Sequence, residues 1–240
     1  MQILSDPKKF EEKEQLYISV RDCEGRIYTD EELLHLPEIS GNHKYYLEWE
    51  YRKKSFLRLK NHLNGKFKGE RLNVLDIGCG NGWMSNQLNK AGHNVTGLDV
   101  NMVELEQAGR VFGSKSSLRW VYGDILDPSI PLERYDVIIL AASCQYFPNL
   151  SALTERLKGL LNKGGEVHLI DSMFYTEKEL IAAKQRSVAY YTGVGYPQMS
   201  KYYHHHGRSV AKGIGYRKFY PAGLNIFNSS PALEWWVLNC

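Results

Sequence analysis

Three acids and a run of glycines carry the most specific chemistry in the sequence. Asp76 sits in the apolar run Val74-Leu75-Asp76-Ile77, and Gly78, Gly80 and Gly82 follow at alternate positions around Cys79 and Asn81. Aliphatic and β-branched residues in so short a run read as a buried strand. Glycines directly after it let the backbone turn sharply with nothing projecting into a ligand. From Asn81 or Gly82 the spacing becomes helical, with Trp83, Met84, Gln87 and Leu88 at i, i+1, i+4 and i+5. A strand that turns through glycines into a helix leaves N–H groups aimed at the crevice beyond the strand end. This is a nucleotide-type site.

Which ligand it takes follows from the surroundings. A dinucleotide loop needs a third small residue where Trp83 stands, and here the third glycine comes one residue early, at Gly82. Asp76 would lie close to a pyrophosphate, and an anion gains nothing from that neighbour. A ligand with an amino group or a sulfonium centre would gain. Two further acids end apolar runs: Asp99 after residues 93–98, and Asp124 after Leu118–Tyr122 and Gly123. Singly, each aspartate also suits a turn or a helix N-cap. Three of them, each at the end of a different predicted strand, mark a ligand site.

A second group of reactive residue types lies late in the chain. Tyr190, Tyr191, Tyr196, Tyr202 and Tyr203 crowd around Gly193, Gly195, Pro197 and the triplet His204-His205-His206. Consecutive histidines point apart, whereas metal ligands on one segment need alternate or i+4 spacing to converge, so no metal site is expected. One histidine facing a pocket suits a general base or a substrate hydrogen-bonder, and we take His205. The tyrosines offer π faces to a cation or an aromatic substrate, although core packing accounts for several of them. Cys144 would be a nucleophile only with a base nearby and a lowered pKa, and it reads as a small packing residue.

The elements that would position these groups follow from hydrophobic spacing. Tyr135–Ala141 and residues 166–170 are further apolar runs, and helical spacing fills 101–112 and 150–161, with Asn162-Lys163-Gly164-Gly165 as a stop. Strands alternating with helices at this pitch imply an α/β fold, a parallel sheet with helices on both faces and ligands at the carboxyl ends of its strands. Upstream, residues 1–40 are mixed and polar; 22–26 read as a turn, and Thr29-Asp30-Glu31-Glu32 opens a short helix that stops before Pro37. Residues 45–63 form an amphipathic helix with Trp49, Phe56, Leu59 and Leu63 on one stripe. It either packs on the core or brings Tyr45, Tyr46, Trp49 or Arg52 over a ligand as a lid. Residues 172–215 interrupt the sheet, helical over 176–189 and then too long for an idle loop.

Composition sets the remaining bounds. A chain of 240 residues suits one domain with an elaboration, and 43% hydrophobic with 24% charged residues is globular. A formal charge of +3 is too small to argue for nucleic acid. Cys23, Cys79, Cys144 and Cys240 are scattered, with no C-x-x-C pair. No apolar leader occupies the first ten residues, and no run approaches the ~20 apolar residues of a membrane span. The expectation is a cytoplasmic protein with free thiols, a monomer or homodimer, without nucleic-acid or membrane partners.

The strand, its acid and the D-x-G-x-G-x-G run resemble motif I of the class I S-adenosylmethionine (SAM)-dependent methyltransferases. The acid after strand two, the Gly-Asp after strand three, the strand from Tyr135 and the turn at Leu160-Leu161-Asn162-Lys163-Gly164-Gly165 resemble the later motifs, so the pattern covers about residues 72–171. The resemblance implies a Rossmann-like seven-strand sheet in the order 3-2-1-4-5-7-6, with strand 7 antiparallel. The last two strands would come from 217–220 or 224–227 with 234–238. A helical cap or lid would occupy 1–70, and the cofactor-binding domain 71–240, with an insertion at about 172–215.

The resemblance also implies SAM as methyl donor and S-adenosylhomocysteine as product. Asp76, Gly78, Cys79 and Gly80 would hold the methionine portion, and Asp99 the ribose hydroxyls. Val100, Asn101 and Met102 would flank the adenine, whose edge would meet Gly123, Asp124 and Ile125; Ala141, Ala142 and Gln145 complete the cofactor set. Amino- and nucleobase-directed members often carry Asn/Asp-Pro-Pro-Tyr/Phe after strand four, where this chain has Ala141-Ala142-Ser143-Cys144-Gln145-Tyr146-Phe147-Pro148. That departure argues for a small-molecule acceptor, with Tyr146 and His205 as the catalytic candidates. Two alternatives stay open: a non-catalytic SAM-binding or regulatory module, and a nicotinamide-dependent oxidoreductase.

Overall fold

The computed structural model describes residues 1–130, 133–219 and 233–239. The N-terminal part holds β1 (Gln2–Ile3), α1 (Glu11–Glu24), α2 (Asp30–His35) and α3 (Tyr46–Lys66). The alternating part runs β2 (Asn73–Ile77), α4 (Trp83–Lys90), β3 (Asn94–Asp99), α5 (Met102–Phe112), β4 (Leu118–Tyr122), β5 (Tyr135–Ala141), α6 (Leu150–Lys158) and β6 (Leu161–Ser172). An insertion follows, with β7 (Phe174–Tyr175), α7 (Glu177–Gly193), β8 (His206–Gly207) and α8 (Arg208–Ile214). Then come β9 (Arg217–Lys218) and β10 (Glu234–Asn239).

One sheet of eight strands runs in the order β1-β4-β3-β2-β5-β6-β10-β9. The expected seven-strand order is present from β4 to β9, with β10 antiparallel to both neighbours. The eighth strand, β1, is an N-terminal edge pairing in parallel with β4, too short to be read from its two residues. Residues 224–227, one option for a C-terminal strand, lie outside the described residues; the strand beside β10 is β9. β2 pairs in parallel with both β3 and β5, so the chain order reverses beside it and a crevice opens at their carboxyl ends.

Alternation along each strand divides the core. Val74, Val95, Val137 and Ile139 face one layer with Leu59 and Leu63 of α3, Leu88 of α4 and Leu105 of α5. Leu75, Leu98, Ile138 and Leu140 face the other, with Leu153 and Leu157 of α6 and Ala211 of α8. Helix starts follow local chemistry. Thr29 and Glu32 form a reciprocal capping box at α2, as do Thr176 and Glu179 at α7. Asn101 caps α5 by accepting the Glu104 N–H at 3.0 Å.

Two sequence expectations need correction. Within 1–40 the sequence placed a turn at 22–26 and a short helix at 30, yet residues 11–24 form α1, which Gly25 ends in the left-handed conformation (φ 69°, ψ 41°). The helix escapes a periodicity reading because it buries only Val20. It packs against the insertion, where Val20 meets Tyr191 and Met199. The stop expected at 162–165 is instead part of β6, which begins at Leu161. A register shift opposite Tyr135 and Val137 absorbs the glycines, and a Cβ on Gly165 would fall 2.8 Å from the Asp136 carbonyl.

Candidate active site

β2 carries Asp76 to the crevice and then breaks. Gly82 starts α4 at φ 75°, and a Cβ there would fall 2.4 Å from the Trp120 ring. Gly78, at φ 68°, lies so close to Ser143 that a Cβ would sit 2.5 Å from the serine Cβ. Both positions demand glycine on two counts, conformation and space. Ser143 Oγ donates to the Ile77 carbonyl at 2.7 Å, which ties the segment after β5 to the glycine loop.

Asp99, at the end of β3, is held by three backbone donors. The Gly80 N–H donates to Oδ2 at 2.7 Å, and the Val100 and Asn101 N–H groups donate to Oδ1 at 2.7 and 2.9 Å. Burial nonetheless raises its pKa against these donors. Asp76 is 2% exposed and accepts from Ser85 Oγ at 2.6 Å, and burial pushes it up to about 6. Asp124 Oδ1 accepts the Leu126 N–H at 2.9 Å, and its own N–H donates to Ser5 Oγ at 3.0 Å. A fourth acid completes the set: Glu104 on α5 accepts from Asn101 Nδ2 at 3.2 Å, and burial, then the nearby Asp99, pushes it up to about 8.

These strand ends open into a cleft of about 870 Å³. The expected cofactor residues from Asp76 to Gln145 reach it: Asp76, Gly78, Cys79, Gly80, Asp99, Val100, Asn101, Gly123, Asp124, Ile125, Ala141, Ala142 and Gln145. Met102 is the exception, turned into the apolar layer that α5 makes with the sheet. Tyr146 reaches the cleft too, its ring 5.7 Å from Tyr17 and 5.9 Å from Tyr203 by centroids.

The histidine triplet splits three ways. His204 lines the cleft, and its N–H donates to the Gln145 carbonyl at 2.7 Å. His205, the expected base, stands one layer behind: its Nε2 is 2.9 Å from Ser187 Oγ, its ring packs on Tyr175 and Tyr203, and burial pushes its pKa down to about 4. His206 is buried with Nε2 3.0 Å from the Cys144 carbonyl. Cys144 itself is buried beneath the loop, its thiol pushed up to about 11 by burial, which fits packing rather than attack.

The roof was not legible in advance. Lys13, Tyr17, Arg21 and Glu24 share one face of α1 and all reach the cleft; their i, i+4, i+8 and i+11 spacing is the signal that would have found it. α3 adds Trp49, Glu48 and Arg52. It is pinned by the residue that excluded a dinucleotide loop, since the Trp83 ring packs edge-on against Trp49 at 5.3 Å and Phe56 at 6.1 Å.

A separate cluster, His62, Glu166 and His168, brings three ligand-type atoms within 4.8 Å of one another. Trp235 Nε1 donates to His168 Nδ1 at 3.1 Å, so neutral His168 keeps its proton on Nε2, the atom facing Glu166. Lys66 Nζ also lies 2.7 Å from Glu166. The cluster already satisfies its charges and ties α3 to β6.

Residues 74–165 match the family model described as "Methyltransferase domain". An uncharacterized methyltransferase of Mycobacterium tuberculosis is 28% identical over 97 residues, 40% of this chain and 49% of that protein. A malonyl-[acyl-carrier protein] O-methyltransferase of Ilyobacter polytropus is 34% identical over 98 residues, 40% of this chain and 38% of that protein. The chain thus spans about half, or less, of the curated relatives it matches. Among solved structures, magnesium protoporphyrin IX methyltransferase from Synechocystis with bound S-adenosylhomocysteine shares the fold at a TM-score of 0.58 and 17% identity, over 92% of this chain and 93% of that one. No helix among the described residues is long and apolar enough to cross a membrane.

Proposed function

We propose that the chain, whose residues 74–165 match the methyltransferase-domain family model, is a class I SAM-dependent methyltransferase that transfers a methyl group from SAM to a small molecule. The observation that carries the reading is the Gly80–Asp99 bond: a glycine loop clamped to an acid at the end of the neighbouring strand, with Asp124 at the end of the next. Bound there, SAM supplies a methyl on a sulfonium, which an acceptor nucleophile takes by in-line displacement.

This chain's residues bind, orient and exclude water. Asp99, already oriented by three N–H donors, keeps acceptor capacity for ribose hydroxyls, and Asp124 with Ile125 takes the adenine edge. The loop from Gly78 to Gly80 with Asp76 receives the methionine portion. α1 and the insertion cover the site, and Tyr146 meets the acceptor. His205 acts through Ser187 as a positioning residue, since a pKa of about 4 makes it a weak base. We treat residues 1–70 as the cap and 71–240 as the catalytic unit. We place the protein in a reducing compartment, the cytoplasm, in keeping with free thiols at Cys23, Cys79 and Cys144.

Calorimetric titration with SAM, S-adenosylhomocysteine and NAD tests the reading. Micromolar binding of the first two without NAD binding is expected. NAD binding alone, or no binding of any, overturns it. A protein that binds the cofactor but transfers no methyl to any of a panel of small molecules is the regulatory module instead.

A further inference from the structure

Two chains of side chains wall the acceptor end of the cleft. The first is ionic: Arg21 pairs with Glu24 at 2.9 Å, Glu24 with Arg26 at 3.1 Å, Arg26 with Glu48 at 2.7 Å, and Glu48 with Arg52 at 3.0 Å. The second is aromatic, with Tyr17, Tyr146, Tyr203, Tyr191 and Tyr190 in successive edge-to-face contact at centroid distances of 5.7, 5.9, 5.9 and 5.3 Å. Both ends of the aromatic chain meet the ionic one. The Arg21 guanidinium lies 4.9 Å from the Tyr17 ring centroid, and the Tyr190 hydroxyl donates to Glu24. Every member faces the cleft.

Within the ionic chain each glutamate lies between two arginines, so all three guanidiniums have a carboxylate partner. Arg186, from α7, stands outside that chain. It reaches the same cleft, where its side chain hydrogen-bonds Tyr175, and among the described residues no carboxylate lies within ion-pair distance of it. Glu179, two turns earlier on α7, accepts from Thr176 at 2.8 Å and lies 3.6 Å from Arg208, with Arg186 a weaker, longer-range neighbour. A guanidinium that bonds a tyrosine but has no carboxylate at ion-pair distance, at the lip of a tyrosine-walled cleft, suits a bidentate oxyanion, and the edge-to-face tyrosines suit a flat ring.

Resting on the methyl-transfer reading, we propose that the acceptor is a small planar aromatic molecule bearing an oxyanion, carboxylate or phosphate, with its ring on the tyrosine wall and its oxyanion on Arg186. The test uses the full chain saturated with S-adenosylhomocysteine, titrated with 4-hydroxybenzoate, phenyl phosphate and the uncharged methyl 4-hydroxybenzoate. At least one anion should bind about tenfold or more tighter than the ester, about 1.4 kcal/mol. Arg186→Gln, on an exposed helix position, should erase that preference while S-adenosylhomocysteine affinity stays the same. Which anion binds tighter identifies the oxyanion. Equal or tighter ester binding, no anion binding, or a preference that survives in Arg186→Gln overturns the proposal. The preceding S-adenosylhomocysteine titration separates the failures, because its absence removes the methyl-transfer reading and this inference with it, whereas its presence without anion preference removes only the inference.

Discussion

The Gly80 N–H lies 2.7 Å from Asp99 Oδ2, so the loop after β2 and the carboxylate after β3 are one mechanical unit. Neither can shift without the other. Both Asp99 oxygens already accept backbone N–H groups before any ligand arrives. The crevice is therefore pre-shaped, and its cost is a buried carboxylate.

Asp99→Ala removes the proposed ribose contact and three charge-assisted bonds that shape the loop, each worth about 1.5–3 kcal/mol. S-adenosylhomocysteine affinity should fall by more than about 100-fold, which is about 2.7 kcal/mol. Calorimetry checks the affinity, and circular dichroism checks that the variant folds. Unchanged affinity would remove Asp99 from the cofactor site.

Glu104 makes stability depend on pH. A glutamate in the unfolded chain ionises near 4.5, whereas burial and Asp99 hold Glu104 protonated up to about 8. Between these values the unfolded chain binds fewer protons, so the contribution is full below about 4.5 and is lost as the pH rises to about 8. Glu104→Gln should abolish that part of the slope. Thermal melts at pH 5 and pH 8 compare the two proteins, and parallel curves would contradict the assignment.

Gly82→Ala meets two obstacles at once. The left-handed backbone costs roughly 1–2 kcal/mol for a residue with a Cβ, and overpacking against Trp120 adds about 1–3 kcal/mol. Urea unfolding should report a loss of about 2–5 kcal/mol. Gly25→Ala, also left-handed but with open space around it, should lose only the first part.

Trp83→Ala leaves a hole between α3 and α4, where the indole packs on Trp49 and Phe56. Truncation of a buried tryptophan costs about 3–5 kcal/mol. A loss below ~1 kcal/mol would mean that α3 is held by its other contacts.

Thiol reactivity distinguishes the cysteines. Cys23 is exposed, while burial raises both Cys79 and Cys144. Iodoacetamide at pH 8 followed by peptide mapping should find Cys23 alkylated and the two buried thiols intact in the folded protein. Rapid alkylation of Cys144 would reopen its reading as a nucleophile.

The sequence alone determined the central strands of the sheet and the residues at their carboxyl ends. Val74 to Gly82 is local chemistry, a buried strand followed by turns that only glycine satisfies, and the acids at 99 and 124 fall one strand apart in the same pattern. Those signals lie within a few residues of one another, so periodicity exposes them. The tertiary structure decided the roof. α1 buries little of itself and takes its partners from residues more than a hundred and fifty positions away, as in Val20 against Tyr191 and Met199. It also decided which histidine meets the cleft, because three adjacent residues differ only in the direction the backbone gives them, and β8 turns His206 inward while leaving His204 on the wall. Glu104 and the Arg21–Arg52 chain belong to the same class, since their roles arise from burial and from charges brought together across elements, which no linear spacing records.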